Sequence, residues 1–275
     1  EFNMLNDCHI HTHFSSDSTT PPRAQIERAI SLGMERICIT DHNDYDAINE
    51  EGMTFLLDVE RYLLAMQTLQ IEYRKDIELL IGIEQGLQLH LRDYYDEFSK
   101  NYAGCFDYII GSSHFIDRQD LYYPSFYQGH REEDCYAHYF DISTQRILLL
   151  DDFDSFGHLD YIVRYGPNKN ANYSYAAFAE YIDPLLKALI KKRKALEINS
   201  AGYKYQLGVP NPHPDIIRRY KELGGTMVTI GSDAHQPEYI GHHFDDVAQI
   251  LLDCGFIKYK IGRAHVWTPV TAHYL

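Results

Sequence analysis

The chain has 275 residues, a 45% hydrophobic share and a net charge of −15 from 40 acidic and 25 basic residues. That is enough apolar material for one large core, and such an acidic balance argues against nucleic acid and anionic membrane as partners, since both are bound chiefly through Lys and Arg. No apolar run is long enough to span a bilayer and no signal-type segment is visible; the five cysteines, Cys8, Cys38, Cys105, Cys135 and Cys254, are scattered and form no C-x-x-C pair, which argues against a disulfide framework or a cysteine zinc site and for a soluble cytoplasmic protein.

Met4 reads as the natural start, with Glu1, Phe2 and Asn3 as extraneous residues before it. Apolar runs at 5–10, 36–40, 78–83, 107–112, 153–157, 195–199 and 226–231 read as strands. Helices are predicted between them. Pro21 to Gly33 has Thr20 as N-cap and Gly33 as stop. Residues 52–75 form a long helix with Leu56, Leu57, Leu63, Leu64 and Ile71 on its periodic face. Further helices are expected near 88–100, 131–148, 173–193, 213–223 and 244–253. The alternation predicts an α/β protein of βα units around a parallel sheet, and this many repeats predict a closed or nearly closed barrel. No linker or internal repeat divides the chain, so 4–260 reads as one domain. The tail 261–275 has no clear period and resembles translated sequencing adaptor; its His265 and His273 are therefore left out of any site.

The stretch Asp7-Cys8-His9-Ile10-His11-Thr12-His13 opens the site argument. In an extended strand, residues two apart share a face, so His9 and His11 project together. Two histidines at that spacing mean little alone, because a strand-end histidine is more often a hydrogen-bonded core residue than a ligand. The pattern repeats, however. Asp17 follows the first strand, Thr40-Asp41-His42 the second, and Gly82-Ile83-Glu84 the third. Gly111-Ser112-Ser113-His114, Gly157-His158-Leu159-Asp160, Leu196-Glu197-Ile198-Asn199 and Gly231-Ser232-Asp233-Ala234-His235 complete the set. The C-terminal ends of parallel barrel strands form the active-site face. A mixture of imidazole and carboxylate without sulfur suits zinc, manganese or iron, and there are more groups than one ion needs, so two or three ions are expected, with Glu84 as a bridge. Asp41 and Asp160 also read as local caps or supports. The aromatic segment 115–140, with Tyr122, Tyr123, Phe126, Tyr127, Tyr136, Tyr139 and Phe140, reads equally as a lid or as rim packing; Tyr122 or Tyr123 would face a ligand in the first case.

These motifs closely resemble the PHP family, named for its polymerase-associated and histidinol-phosphatase members. The resemblance rests on His9-x-His11-Thr12, Thr40-Asp41-His42, Gly82-Ile83-Glu84, Ser112-Ser113-His114, Gly157-His158 and Ser232-Asp233-Ala234-His235, in the family's order. It implies a distorted (β/α)7 TIM-like barrel of PHP type. Within the family the chain looks most like the monofunctional histidinol-phosphate phosphatases, through the long segments after His42 and His114, His158 to Tyr165, and Glu197 to Gly202 followed by Lys204. The resemblance implies three divalent ions: one held by His9, His11, Glu84 and Asp233, a second by Glu84, His114 and His158, and a third by Asp17, His42 and His235. Some members use histidine at the position of Asp17. His13 has no ligand role in the family.

The implied activity is metal-assisted hydrolysis of a phosphate monoester, L-histidinol phosphate, in histidine biosynthesis. Arg164 would clamp the phosphate and Lys204 would add a point charge. Asp233, His242 or a metal-bound water would protonate the leaving oxygen. Glu197 would bind the substrate's amine or imidazole, or else serve as a structural hydrogen-bond partner, and Tyr122 is a further candidate substrate contact. Competing readings are a phosphoesterase for another small phosphate or a nucleotide, a non-catalytic metal-binding barrel, and an amidohydrolase; the last usually has a bridging lysine after a mid-barrel strand, which this sequence lacks.

Overall fold

Short, fully buried apolar runs alternate with amphipathic helices, and the chain resolves that pattern by rolling the runs into a barrel. A computed structural model describes residues 6–262 and 266–270; the readings of Glu1–Asn3, Met4, His265 and His273 concern residues outside that range. The parallel strands are β1 (Asn6–Ile10), β2 (Arg36–Ile39), β3 (Glu78–Gly86), β4 (Tyr108–Ser112), β5 (Ser155–Phe156), β6 (Ala195–Asn199) and β7 (Val228–Gly231). They pair in chain order. The β7 end returns to β1 through Asp233 N–H donating to His9 O at 2.8 Å and His11 N–H donating to Ala234 O at 2.9 Å. Neighbours in chain order plus this return make a nearly closed barrel, with each of the seven predicted runs supplying one strand.

The distortion sits at β3. Its first half, Glu78 to Ile81, pairs with β2, and its second half, Gly82 to Gly86, pairs with β4. Between β2 and the second half of β3 the chain inserts another strand, His42–Ile48, whose His42 lies in register with Glu84. This strand is not among the seven runs read from the sequence. Gly82 stands at the changeover because a Cβ there would lie 2.6 Å from Cys38 Sγ and 2.8 Å from Thr40 Cγ2. The Tyr62 hydroxyl reaches Ile39 O at 2.9 Å and Gly82 O at 2.8 Å, so a helix side chain ties the splayed strand ends together.

The helices packed around the barrel are α1 (Pro22–Ser31), α2 (Val59–Tyr73), α3 (Arg92–Asn101), α4 (Glu132–Leu149), α5 (Tyr175–Lys192), α6 (Pro214–Glu222) and α7 (Phe244–Asp253). Two expectations need correction. The Thr20 hydroxyl does not cap α1; it donates to His235 O at 2.7 Å, and Pro21 stands at the N-cap. The helix expected over 52–75 begins only at Val59, where the Asp58 carboxylate accepts the Arg61 N–H at 3.2 Å; Thr54–Phe55 instead pairs as a strand. Its buried face is Val59, Tyr62, Leu63, Met66 and Leu69, at true three-to-four-residue spacing. Leu56, Leu64 and Ile71, read as part of the periodic face, are 51%, 69% and 64% exposed.

Lys258–Ile261 pairs antiparallel with Val266–Pro269, so the described part of the aperiodic tail continues as a hairpin. Among the described residues no helix is long and apolar enough to cross a membrane, and all the cysteines are free.

The corrected helix face is testable. Met66→Ala, at a site with no exposure, should lower unfolding free energy by about 2–5 kcal/mol, whereas Leu64→Ala should stay within about 0.5 kcal/mol of the parent in urea denaturation. Equal losses would contradict the assignment.

Candidate metal centre

Strand ends at the C-terminal face carry the site, and the barrel closes so tightly there that its polar groups are removed from water. β1 presents His9, with His11 just beyond it, and both are fully buried. β3 presents Glu84, also fully buried, and His114 and His158 follow β4 and β5. Asp233 and His235 follow β7. Gly231, at the end of β7, is a glycine because a Cβ there would overlap His9 Cβ. Asp17 lies in the loop between β1 and α1, and His42 opens the inserted strand.

Glu84 is the focus. Its Oε2 lies 3.3 Å from His9 Nε2, 3.4 Å from His11 Nε2 and 3.0 Å from His42 Nδ1. Its Oε1 lies 3.1 Å from His114 Nε2 and 2.9 Å from His158 Nε2, and accepts the Ser112 hydroxyl at 2.7 Å. Asp233 Oδ1 stands 3.3 Å from His11 Nε2 and 3.7 Å from His9 Nε2. Asp17 Oδ2 stands 3.2 Å from His235 Nε2 and 3.6 Å from His42 Nε2. The structure therefore brings together every residue named above as a candidate ligand.

The donors fit cations rather than one another. His9 Nε2, His11 Nε2 and Glu84 Oε2 are buried and make no hydrogen bond. A tetrahedral ion about 2.0–2.1 Å from nitrogen ligands holds its ligands roughly 3.3–3.4 Å apart, and the 3.3, 3.4, 3.3 and 3.7 Å separations in the His9–His11–Glu84–Asp233 set lie at or just beyond that edge length. The charges agree. Burial opposes ionisation of Glu84, yet His9, His114 and His42 hold its carboxyl well below the ordinary range. Burial likewise opposes a charged His9, but Glu197, Glu84 and Asp233 outweigh it and push that imidazole well up. Burial, reinforced by His235 and His42, pushes His11 well down, toward the neutral form that can ligate a cation. Buried carboxylates in this excess demand positive charge, and a bound divalent cation is the group that meets the demand.

Behind the ligands stands a ring of supports. The Glu197 Oε1 lies 2.5 Å from His9 Nδ1, and its Oε2 accepts the His158 backbone N–H at 2.7 Å and Asn199 Nδ2 at 3.1 Å. Glu197 thus aims His9 Nε2 at the cluster. Of the two roles expected for Glu197, structural partner or substrate contact, the geometry matches the structural one: both oxygens are engaged and the side chain is buried. The structure adds Asp44, which sequence reading missed: its Oδ1 lies 2.8 Å from His114 Nδ1 and its Oδ2 3.5 Å from His42 Nδ1. Reading 42–48 as a strand would have found it, since alternation puts Asp44 on the face of His42. Asp41 accepts the N–H and hydroxyl of both Thr12 and Ser15, and the Ser15 hydroxyl lies 3.0 Å from His11 Nδ1. Asp160 bonds to none of the candidate ligands; it accepts Asn211 Nδ2 and the His213 N–H.

Arg164 is buried beside the cluster. Its guanidinium donates to Asp233 Oδ2 at 2.8 Å, Asn199 Oδ1 at 3.0 Å and Asn211 Oδ1 at 2.9 Å, and lies over the Tyr205 and Tyr161 rings. Lys204 and His242 sit farther out. The Lys204 Nζ lies 4.6 Å from the Tyr239 ring centre, and His242 packs against Tyr239 and His243 without reaching any candidate ligand. The aromatic segment divides: Phe126, Tyr127, Tyr136, Tyr139 and Phe140 are buried packing, while Tyr122 and Tyr123 line the cavity above His42 and His114.

Comparison with known proteins agrees with this geometry. Residues 7–201 match the PHP domain. The chain is 34% identical over 230 residues to a histidinol-phosphatase of Lactococcus lactis, covering 83% of each chain, and 31% identical over 256 residues to a probable histidinol-phosphatase of Clostridium acetobutylicum, covering 91% of this chain and 94% of that one. Its fold matches the crystal structure of a Lactococcus lactis histidinol phosphate phosphatase complexed with zinc, L-histidinol and phosphate, with a TM-score of 0.83 at 31% identity, covering 91% of this chain and 94% of that one. With its barrel, its strand-end histidines and carboxylates and these matches, the chain belongs to the PHP family.

Proposed function

We propose that this chain is a metal-dependent phosphatase that hydrolyses L-histidinol phosphate to L-histidinol and phosphate, the histidinol-phosphatase step of histidine biosynthesis. The observation that carries the reading is the buried Glu84, both of whose oxygens face imidazole nitrogens, with His9 Nε2, His11 Nε2 and Glu84 Oε2 left without a hydrogen bond. The relatives named above support the substrate. The free cysteines support a reducing, cytoplasmic setting.

Three ions are proposed, held by His9, His11, Glu84 and Asp233; by Glu84, His114 and His158; and by Asp17, His42 and His235. The donor set suits zinc, manganese or iron. When bound, such ions polarise phosphoryl oxygens and acidify a water enough to supply the attacking nucleophile near neutral pH. The protein's own part is placement. Arg164 has five N–H donors, and the hydrogen bonds named above occupy three of them, so two remain for phosphoryl oxygens next to Asp233. Lys204 adds positive charge from the rim. Burial opposes ionisation of Asp233, yet His9, His11 and Arg164 hold its carboxyl well below the ordinary range, so it suits ligation rather than proton delivery, and His242 packs on the rim.

Chelation should abolish turnover of L-histidinol phosphate, and added manganese or zinc should restore it. Glu84→Gln should lower kcat/KM by more than the roughly 100-fold typical of losing an outer partner of a metal ligand, with metal content falling in parallel; full activity after exhaustive chelation would contradict the reading. Glu197→Gln separates the two roles considered for that residue. As a support of His9 it should weaken metal affinity about 10–100-fold and leave KM unchanged at saturating metal. A raised KM with intact metal affinity would return Glu197 to the substrate.

A further inference from the structure

Helix α4 buries a second arginine away from the metal centre. Tyr139, Ser143 and Arg146 recur at four- and three-residue steps and share the buried face of that helix. Arg146 is 3% exposed. Its Nη2 donates to Phe115 O at 2.6 Å, but its Nε and Nη1 find no acceptor, and among the described residues it makes no ion pair. Arg164 provides the contrast. It is buried as deeply, yet Asp233 and two asparagines accept its hydrogen bonds, and the Asp233 charge outweighs the effect of burial and pushes its guanidinium up. Burial pushes Arg146 the other way, down to about 10. Water can supply hydrogen bonds to a buried guanidinium, but it cannot supply the missing counter-charge.

Arg146 lines a cavity of about 330 Å³ together with Gln88, His90, Asp117, Arg118 and Ile142, and none of the candidate metal ligands lines it. Its mouth is open to solvent, where the Asp117 and Arg118 side chains are exposed. The carboxylates there already have cationic or imidazole partners. Asp117 Oδ2 lies 2.7 Å from His138 Nε2, and Asp46 Oδ2 lies 2.7 Å from His90 Nε2 and 3.5 Å from Arg118 Nη2. Arg146 is thus the charge of this cavity that no protein group answers.

We propose that the cavity binds a small oxyanion, a phosphate-like or carboxylate group, held by Arg146 from within and by Arg118 at the rim. The two idle nitrogens of Arg146 supply charge-assisted hydrogen bonds, and the anion supplies the counter-charge. Phe115 follows His114, so the bond from Arg146 Nη2 ties this site to the backbone of the metal centre. The proposal stands apart from the phosphatase reading, because it uses none of the residues assigned to that reaction.

The test joins crystallography with calorimetry on the metal-loaded protein. Crystals soaked in selenate should show an anomalous selenium peak in this cavity, with selenate oxygens about 2.7–3.2 Å from Arg146 nitrogens. Titration at constant ionic strength with sulfate, and separately with acetate, shows whether a phosphate-like or a carboxylate group is preferred. Arg146→Gln should weaken binding of the preferred anion about tenfold or more, and Arg118→Ala, at the exposed rim, about twofold to fivefold. A selenium peak only at the metal centre, saturable binding of neither anion, or affinities unchanged in both variants would overturn the proposal. Where Arg146→Gln does not fold, the selenate position in the parent protein and the Arg118→Ala titration decide.

Discussion

A carboxylate sealed from water needs positive charge close by, and Glu84 sets that requirement for the whole barrel mouth. His9, His11, His42, His114 and His158 each place a ring nitrogen within 3.4 Å of it. Imidazoles crowded around one carboxylate cannot all be protonated, and burial opposes charge on each of them. Shared cations resolve the conflict. The kink in β3 serves the same end: by changing partners at Gly82, the strand turns its second half so that Glu84 reaches ligands contributed from both sides of the barrel.

The arrangement also holds backbone in uncommon conformations. His158 and Asp233 have φ of 22° and 55°, in the region that side-chain-bearing residues usually avoid. Such residues cost on the order of 1–3 kcal/mol each and persist where surrounding contacts over-determine them. Here the contacts are visible. The His158 N–H donates to Glu197 Oε2, and the Asp233 N–H donates to His9 O in the bond that closes the barrel. Fold closure and ligand placement are thus the same interactions.

Much of this was legible in residue types and order. Parallel strands separated by helices put their C-terminal ends on one face, so metal-type residues after each run could be gathered without knowing their distances. What was hidden depended on direction and on irregular elements. Glu197 has the right strand position to face a substrate, but a register argument does not reveal that His9 turns toward it. Asp44 was missed because the inserted strand His42–Ile48 is polar and is not among the apolar runs read as strands. Leu64 and Ile71 were read on the periodic face of a helix over 52–75, while the packed stripe follows Tyr62, Leu63, Met66 and Leu69. The cavity above His42 and His114 was illegible for a different reason: Glu51, Asp120 and Tyr205 lie far apart in sequence and meet only through loops.

Anomalous X-ray diffraction from crystals of the metal-loaded protein tests the central claim most directly. The account predicts strong peaks on both sides of Glu84, one among His9, His11 and Asp233 and one beside His114 and His158, with a further peak between Asp17, His42 and His235. Crystals of fully loaded, active protein with no anomalous density next to Glu84 would contradict it.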